Sequence, residues 1–198
     1  MRPFTVPTLC GLFATAMLAA GASAAELKDK ATFEAIPNAK ERAVAIFEEM
    51  GKVLQHPRCV NCHPVGDSPL QGEAMKVHEP PVQRGEANFG VTGMYCTVCH
   101  MSRNVEPAGV PGDPAWHLAP KSMAWEGKTL GEICHQIKDP EQNGGKDLKA
   151  LHKHMAEDSL VGWGWHPGGD RAPVPGTQKQ FGELVALWIE AGAECPSS

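Results

Sequence analysis

Two pentapeptides in this chain carry the same chemistry-bearing pattern, Cys59-Val-Asn-Cys62-His63 and Cys96-Thr-Val-Cys99-His100. In each, two thiols stand about one turn of chain apart and an imidazole follows at once. That spacing suits a flat macrocycle. The thiols reach two vinyl groups on its edge and form thioethers, while the histidine points at the iron in its centre. The pattern therefore predicts two covalently bound c-type haems, attached through Cys59, Cys62, Cys96 and Cys99, with His63 and His100 as iron ligands. Zinc held by two Cys-x-x-Cys pairs is the rival chemistry, but a plain zinc ribbon has no need of a histidine after each pair.

The second axial site of each iron decides what the haems can do. Two strong ligands leave a centre that only moves electrons, whereas an open site can bind or activate a small molecule. Seven histidines remain: His56, His78, His117, His135, His152, His154 and His166. His78 lies 18 residues before Cys96 in a proline-stiffened segment, which can hold a ligand without a helix. His154 and His152 compete on one expected helix, where apolar periodicity puts His152 nearer the buried face. His117 and the thioether of Met123 are further candidates. His56 is too close to Cys59 to reach the far face of that haem, and reads as structural. His135 and His166 read as surface or packing residues. The histidine count leans towards two imidazoles per iron, which gives a lower reduction potential than a thioether ligand.

The elements that must position these groups are mostly helical. Asn38 with Glu41 and the apolar series Ala43, Ile46, Phe47, Met50, Val53 and Leu54 predict a helix over 39–55 that leads into the first motif. From Pro64 to Gly127 no segment keeps either period; its eight prolines and eight glycines imply extended loops and tight turns. Trp116 and Trp125 in that stretch are expected to pack on haem. Three helices follow. Thr129 and Glu132 form a capping box before Leu130, Ile133, Cys134 and Ile137, and Asp139-Pro140 stops that helix. A second runs over about 146–158, and a third is capped by Thr177 and Gln180 and ends near Gly192. The fold class is mainly α with long irregular loops, a single domain over 38–198 wrapped around two covalent haems.

Residues 1–24 have the pattern of a secretory signal: Arg2, an apolar run over 9–20 too short to span a bilayer, and Ala22-Ser23-Ala24 for cleavage. Residues 25–37 read as a flexible leader. Export to the periplasm is the expected location, with no transmembrane segment in the mature chain. Of the seven cysteines, four belong to the motifs and Cys10 lies in the expected signal segment; in an oxidising compartment the two left over, Cys134 and Cys195, are expected to pair as a disulfide. Loss of Arg2 takes the 18 basic residues to 17 against 23 acidic ones, a net charge of −6. That balance, without a basic cluster, argues against nucleic acid and is compatible with docking on a basic patch of a redox partner.

The segments His56-Pro-Arg-Cys59-Val-Asn-Cys62-His63-Pro64, Gln83-Arg84-Gly85, Pro111-Gly-Asp-Pro114-Ala-Trp116 and Trp163-Gly-Trp165 resemble a group of small exported di-haem cytochromes. Its members are often described as isoquinoline 1-oxidoreductase subunits or as cytochrome c family proteins. The resemblance spans about residues 40–196. It implies distal iron ligands at His78 and His154, and a molybdenum hydroxylase or another dehydrogenase as upstream redox partner. The placing of His78 before the second motif is also similar to the small di-haem subunit of periplasmic nitrate reductase, from which the Trp-rich C-terminal half departs. The expected function is one-electron transfer between a dehydrogenase and a downstream acceptor, without catalytic residues of its own. The alternative is a di-haem peroxidase or another small-molecule-activating haem enzyme with an open iron, for which the chain is short.

Overall fold

The computed structural model describes residues 26–198, so the expected signal segment lies outside the described residues. Seven α-helices are found among them: α1 (Lys30–Glu34), α2 (Ala39–Leu54), α3 (Pro57–Val60), α4 (Leu130–Lys138), α5 (Leu148–Glu157), α6 (Ser159–Gly162) and α7 (Gln178–Glu190). Strands are confined to two hairpins. β1 (Leu70–Gln71) pairs with β2 (Lys76–Val77), and β3 (Gly90–Val91) pairs with β4 (Met94–Tyr95), both antiparallel. The mainly α expectation holds, and no described helix is long and apolar enough to cross a membrane.

The long helices begin where capping chemistry places them. The Asn38 side chain accepts from Glu41 N at 3.1 Å, a contact worth about 1 kcal/mol at a helix start. Thr129 and Glu132 cap α4 reciprocally, as the capping box predicts. Asp147 caps α5 and Thr177 caps α7 through the nitrogen three residues on.

The core forms where α7 packs against α2 and α5. Phe181, Leu184, Val185 and Trp188 fill the buried face of α7, and Trp188 meets Phe47 of α2 with ring centroids 5.1 Å apart. Each such side chain contributes roughly 1.5–3 kcal/mol by leaving water. The crossing of α5 and α7 is close because Gly182 lacks a side chain; a Cβ there would stand 2.6 Å from Ala156 Cβ. Cys134 on α4 and Cys195 beyond α7 form the expected disulfide.

Of the flexible leader expected over 25–37, the described residues 26–37 pack against the core. α1 occupies Lys30–Glu34, and Leu27 and Phe33 are buried in the core. Lys28 N donates to the buried carboxylate of Glu49 at 3.0 Å, which fastens the segment along α2. Its two apolar anchors are too few and too far apart to show a period, so only the long-range contact reveals the packing. The 64–127 stretch is irregular as expected. Its hairpins escaped the sequence pattern because strands of two residues are too short to show alternation.

Candidate functional site

The first motif sits at the end of α2, on a single helical turn. His56 caps α3 by accepting from Arg58 N at 3.2 Å, and Pro57 takes the first helical position, where it loses no hydrogen bond. His56 is thus structural, as its position implied. Cys62 N donates to Cys59 O and His63 N to Val60 O, so the turn brings both sulfurs and the imidazole to one side.

They face a cleft of about 1090 Å³ of empty space, counted out to the solvent at its mouth. Cys59, Cys62 and His63 line one side together with Met123 and Trp125; Leu151, His154 and Met155 of α5 line it too, and Leu54 and Phe181 supply apolar wall.

The His63 ring is held from two directions. Its Nδ1 lies 2.7 Å from the carbonyl oxygen of Met123, and the indole of Trp125 stacks on its face, centroids 3.5 Å apart and 7° from parallel. With Nδ1 donating to a carbonyl, Nε2 is left as a bare lone pair, the state a metal-binding imidazole needs. Burial lowers the pKa of His63 to about 3, with lesser contributions from the nearby charges of His154 and Arg84. The ring is therefore neutral at any ordinary pH. Burial also raises the Cys59 thiol to about 12 and the Cys62 thiol to about 11, so both remain protonated thiols.

His154 projects from α5 into the same cleft, and its Nδ1 lies 3.5 Å from the carboxylate of Asp158 one turn on. That hydrogen bond holds the Asp158 carboxyl at about 2, below its ordinary value. A carboxylate behind an imidazole orients it and makes it a stronger donor to a metal. His152, which periodicity set nearer the buried face, is not among the cleft's lining residues. The cleft opens on the flank of α5 beside Leu151 and Met155, which the average over a helix face does not resolve. His117 also lines the cleft, and its ring stacks on Phe89 with centroids 4.7 Å apart. Met123 contributes a carbonyl on the His63 side.

The second motif repeats the first construction on an irregular scaffold. Cys96–Val98 is a short 3-10 turn at the end of β4, with Cys99 N and His100 N both donating to Cys96 O. His100 Nδ1 lies 2.8 Å from Pro111 O, and Trp116 stacks on the ring with centroids 4.5 Å apart and 11° from parallel. Its pKa is lowered chiefly by burial. His78, just past β2, faces it with ring centroids 6.0 Å apart. Its own Nδ1 lies 2.9 Å from Pro80 O. The two rings meet edge to face, 62° from parallel. His135 and His166 are exposed, in keeping with the surface roles expected of them.

The four cysteines of the motifs are unpaired thiols. The donor chemistry fits two c-type haems: two thiols and an imidazole at each place, with His78 opposite His100 and His154 in the wall of the first cleft. No cluster of three or more His, Cys, Asp or Glu arranged for a bare metal ion occurs among the described residues. The tryptophans on the proximal rings, the carbonyls of Met123 and Pro111, and the Asp158 carboxylate were not assigned these roles by the sequence. Only the tryptophans left a signal there, as aromatics in a stretch otherwise poor in them.

In comparison with known proteins, no family model, no curated protein and no solved structure matches the chain.

Proposed function

We propose that the protein is a periplasmic di-haem c-type cytochrome, a one-electron carrier between a dehydrogenase and a downstream acceptor. The observation that carries this reading is the doubled construction. Each Cys-x-x-Cys-His histidine has Nδ1 on a backbone carbonyl and a tryptophan on its face. A second histidine accompanies each: His154 lines the cleft of His63, and His78 faces His100.

When bound, each haem would supply an iron that cycles between ferric and ferrous states. Cys59 and Cys62 would hold the first, with His63 and His154 on its iron; Cys96 and Cys99 would hold the second, with His100 and His78. The wrapping of the 64–127 loops around the macrocycles belongs to this proposal. The chain's own residues keep the buried His63 ring neutral and hold the His63 and His100 rings in place through the carbonyls of Met123 and Pro111. That pairing of histidines favours the carrier over a peroxidase, whose chemistry needs an open iron. The export signal, the net charge of −6 and the family resemblance support a periplasmic redox partner, for which a molybdenum hydroxylase or another dehydrogenase is the proposed type.

Intact mass of the purified protein should show two covalent haems. The reduced visible spectrum should not move on adding carbon monoxide. A carbon monoxide complex at either haem overturns the carrier assignment and favours the enzyme.

A further inference from the structure

The residue before Cys59 is buried in a way that its protein neighbours do not explain. Arg58 is 5% exposed and lines the first cleft. A guanidinium has five N–H donors in a planar fork. Here the one side-chain hydrogen bond goes from an Nη to the carboxylate of Glu73, which is itself more than half exposed and also accepts from Ala172 N at 3.3 Å. The Arg58 Nε is buried with no hydrogen-bond partner among the described residues. A buried cation with unmet donors calls for a second anion.

Trp125 Nε1 and Asn61 Oδ1 are also buried near the first motif without partners among the described residues, but neither is charged, and the other polar residues of the cleft wall next to Arg58 are engaged. Lys146 Nζ donates to Asn143 O at 3.1 Å, and Asn143 Nδ2 donates to Ile137 O and Lys146 O at 2.8 and 2.9 Å. Arg84 is also buried with an unmet Nε, yet its Nη groups reach Ala119 O, Gly66 O and Asn88, and it is not among the lining residues. Arg58 alone combines a place in the cleft wall with an unmet buried donor on a cationic group. The complement of its fork is a carboxylate.

We propose that Arg58 binds a propionate carboxylate of the first haem, an inference that rests on the di-haem reading. The guanidinium, shared between that propionate and Glu73, then fixes the rotation of the macrocycle in the cleft. It also keeps the propionate ionised, so the iron sees a constant charge nearby over the ordinary pH range.

The test uses the full haem-loaded protein and three variants, Arg58→Gln, Arg58→Lys and Glu73→Gln. Haem count by intact mass comes first, then midpoint potentials against pH and the propionate-bending band in the resonance Raman spectrum. Arg58→Gln is expected to lower one of the two midpoint potentials by about 59 mV, a tenfold change in the oxidised-to-reduced ratio for one electron. It should also make that potential fall with rising pH as the released propionate titrates. Arg58→Lys, which keeps the charge and loses the fork, should shift the Raman band and leave the potential nearly flat. Glu73→Gln leaves the propionate as the one anion on Arg58 and should shift the band the opposite way. Should Arg58→Gln fail to load haem, the other two variants decide. Two haems in every protein with an unmoved band and unchanged potential overturns the inference alone. A wild-type protein without haem overturns the di-haem reading, and the inference falls with it.

Discussion

The two candidate haem places share a proximal half and differ in nearly everything behind it. The first lies in a cleft walled by α2, α5 and α7, and its facing histidine leans on the Asp158 carboxylate. The second lies on the hairpin side. Cys99 is exposed there, as are Phe89, Val91, Met94, Tyr95, Val98 and Met101, and its facing histidine leans on the backbone carbonyl of Pro80. The first place is therefore part of the hydrophobic core, whereas the second is an apolar surface that a macrocycle would cover. Solvent exposure and the hydrogen bonds of axial ligands both tune the potential of a haem. On the proposed reading the two irons differ in potential, and the second haem is the one within reach of a partner.

Removing one haem at a time breaks this comparison most sharply. The Cys59→Ser/Cys62→Ser double variant leaves the cleft between core helices unfilled, and should lose most of the cooperative thermal transition. Cys96→Ser/Cys99→Ser should keep a folded helical core, with the melting transition followed by circular dichroism. Equal losses in the two variants would show that the second place is as deep in the fold as the first.

Next in size is the removal of the facing ligands. His154→Ala should open the first iron and His78→Ala the second, so each variant should gain one carbon-monoxide-sensitive haem where the parent has none. A silent His154→Ala combined with a gas-sensitive His117→Ala would move the first distal ligand to His117.

A smaller effect comes from the helix crossing under the first place. Gly182→Ala puts a methyl 2.6 Å from Ala156 Cβ, and overpacking of this kind costs about 1–3 kcal/mol. Separation of α5 from α7 carries His154 with it, so the spectrum of the first haem should change while that of the second does not. Asp158→Asn acts on the same histidine more gently. Loss of the carboxylate makes the imidazole a weaker donor and should raise the first midpoint potential by up to about 59 mV.

The sequence showed what depends on local pattern. Asn38, Thr129 and Thr177 announced their helices because a cap is a side chain a few residues from the nitrogen it serves. The disulfide followed from the two cysteines left over once the motifs and Cys10 of the expected signal segment were set aside. What stayed hidden is held by contacts across long stretches of chain or by backbone atoms. The carbonyl of Met123 lies 60 residues from His63, and any residue type can supply a carbonyl. Leu27 and Phe33 looked like a leader because their partners are in other helices. The choice between His152 and His154 turned on which flank of α5 the cleft opens, and no property of that helix by itself carries this.

The smallest expected effect concerns acid and the first place. Trp125 stacks on His63, its carbonyl accepts from Lys128 N at 3.0 Å, and α4 begins at Thr129. The capping box of α4 is thus joined to the proximal side of the first place. Hydrogen bonds from Thr129 hold the Glu132 carboxyl below its ordinary value. A carboxyl with a depressed folded pKa adds stability that is present above its unfolded value and is lost as pH falls through the folded one. The melting temperature of the parent should therefore exceed that of Glu132→Gln at neutral pH, and the gap should close below about pH 4. The second place is held at His100 and His78 by backbone carbonyls, which do not titrate. Acid should accordingly reach the spectrum of the first haem before that of the second, and Glu132→Gln should narrow the interval between them. A gap in melting temperature that persists to low pH would show that the Glu132 side chain supports α4 by packing and not by charge.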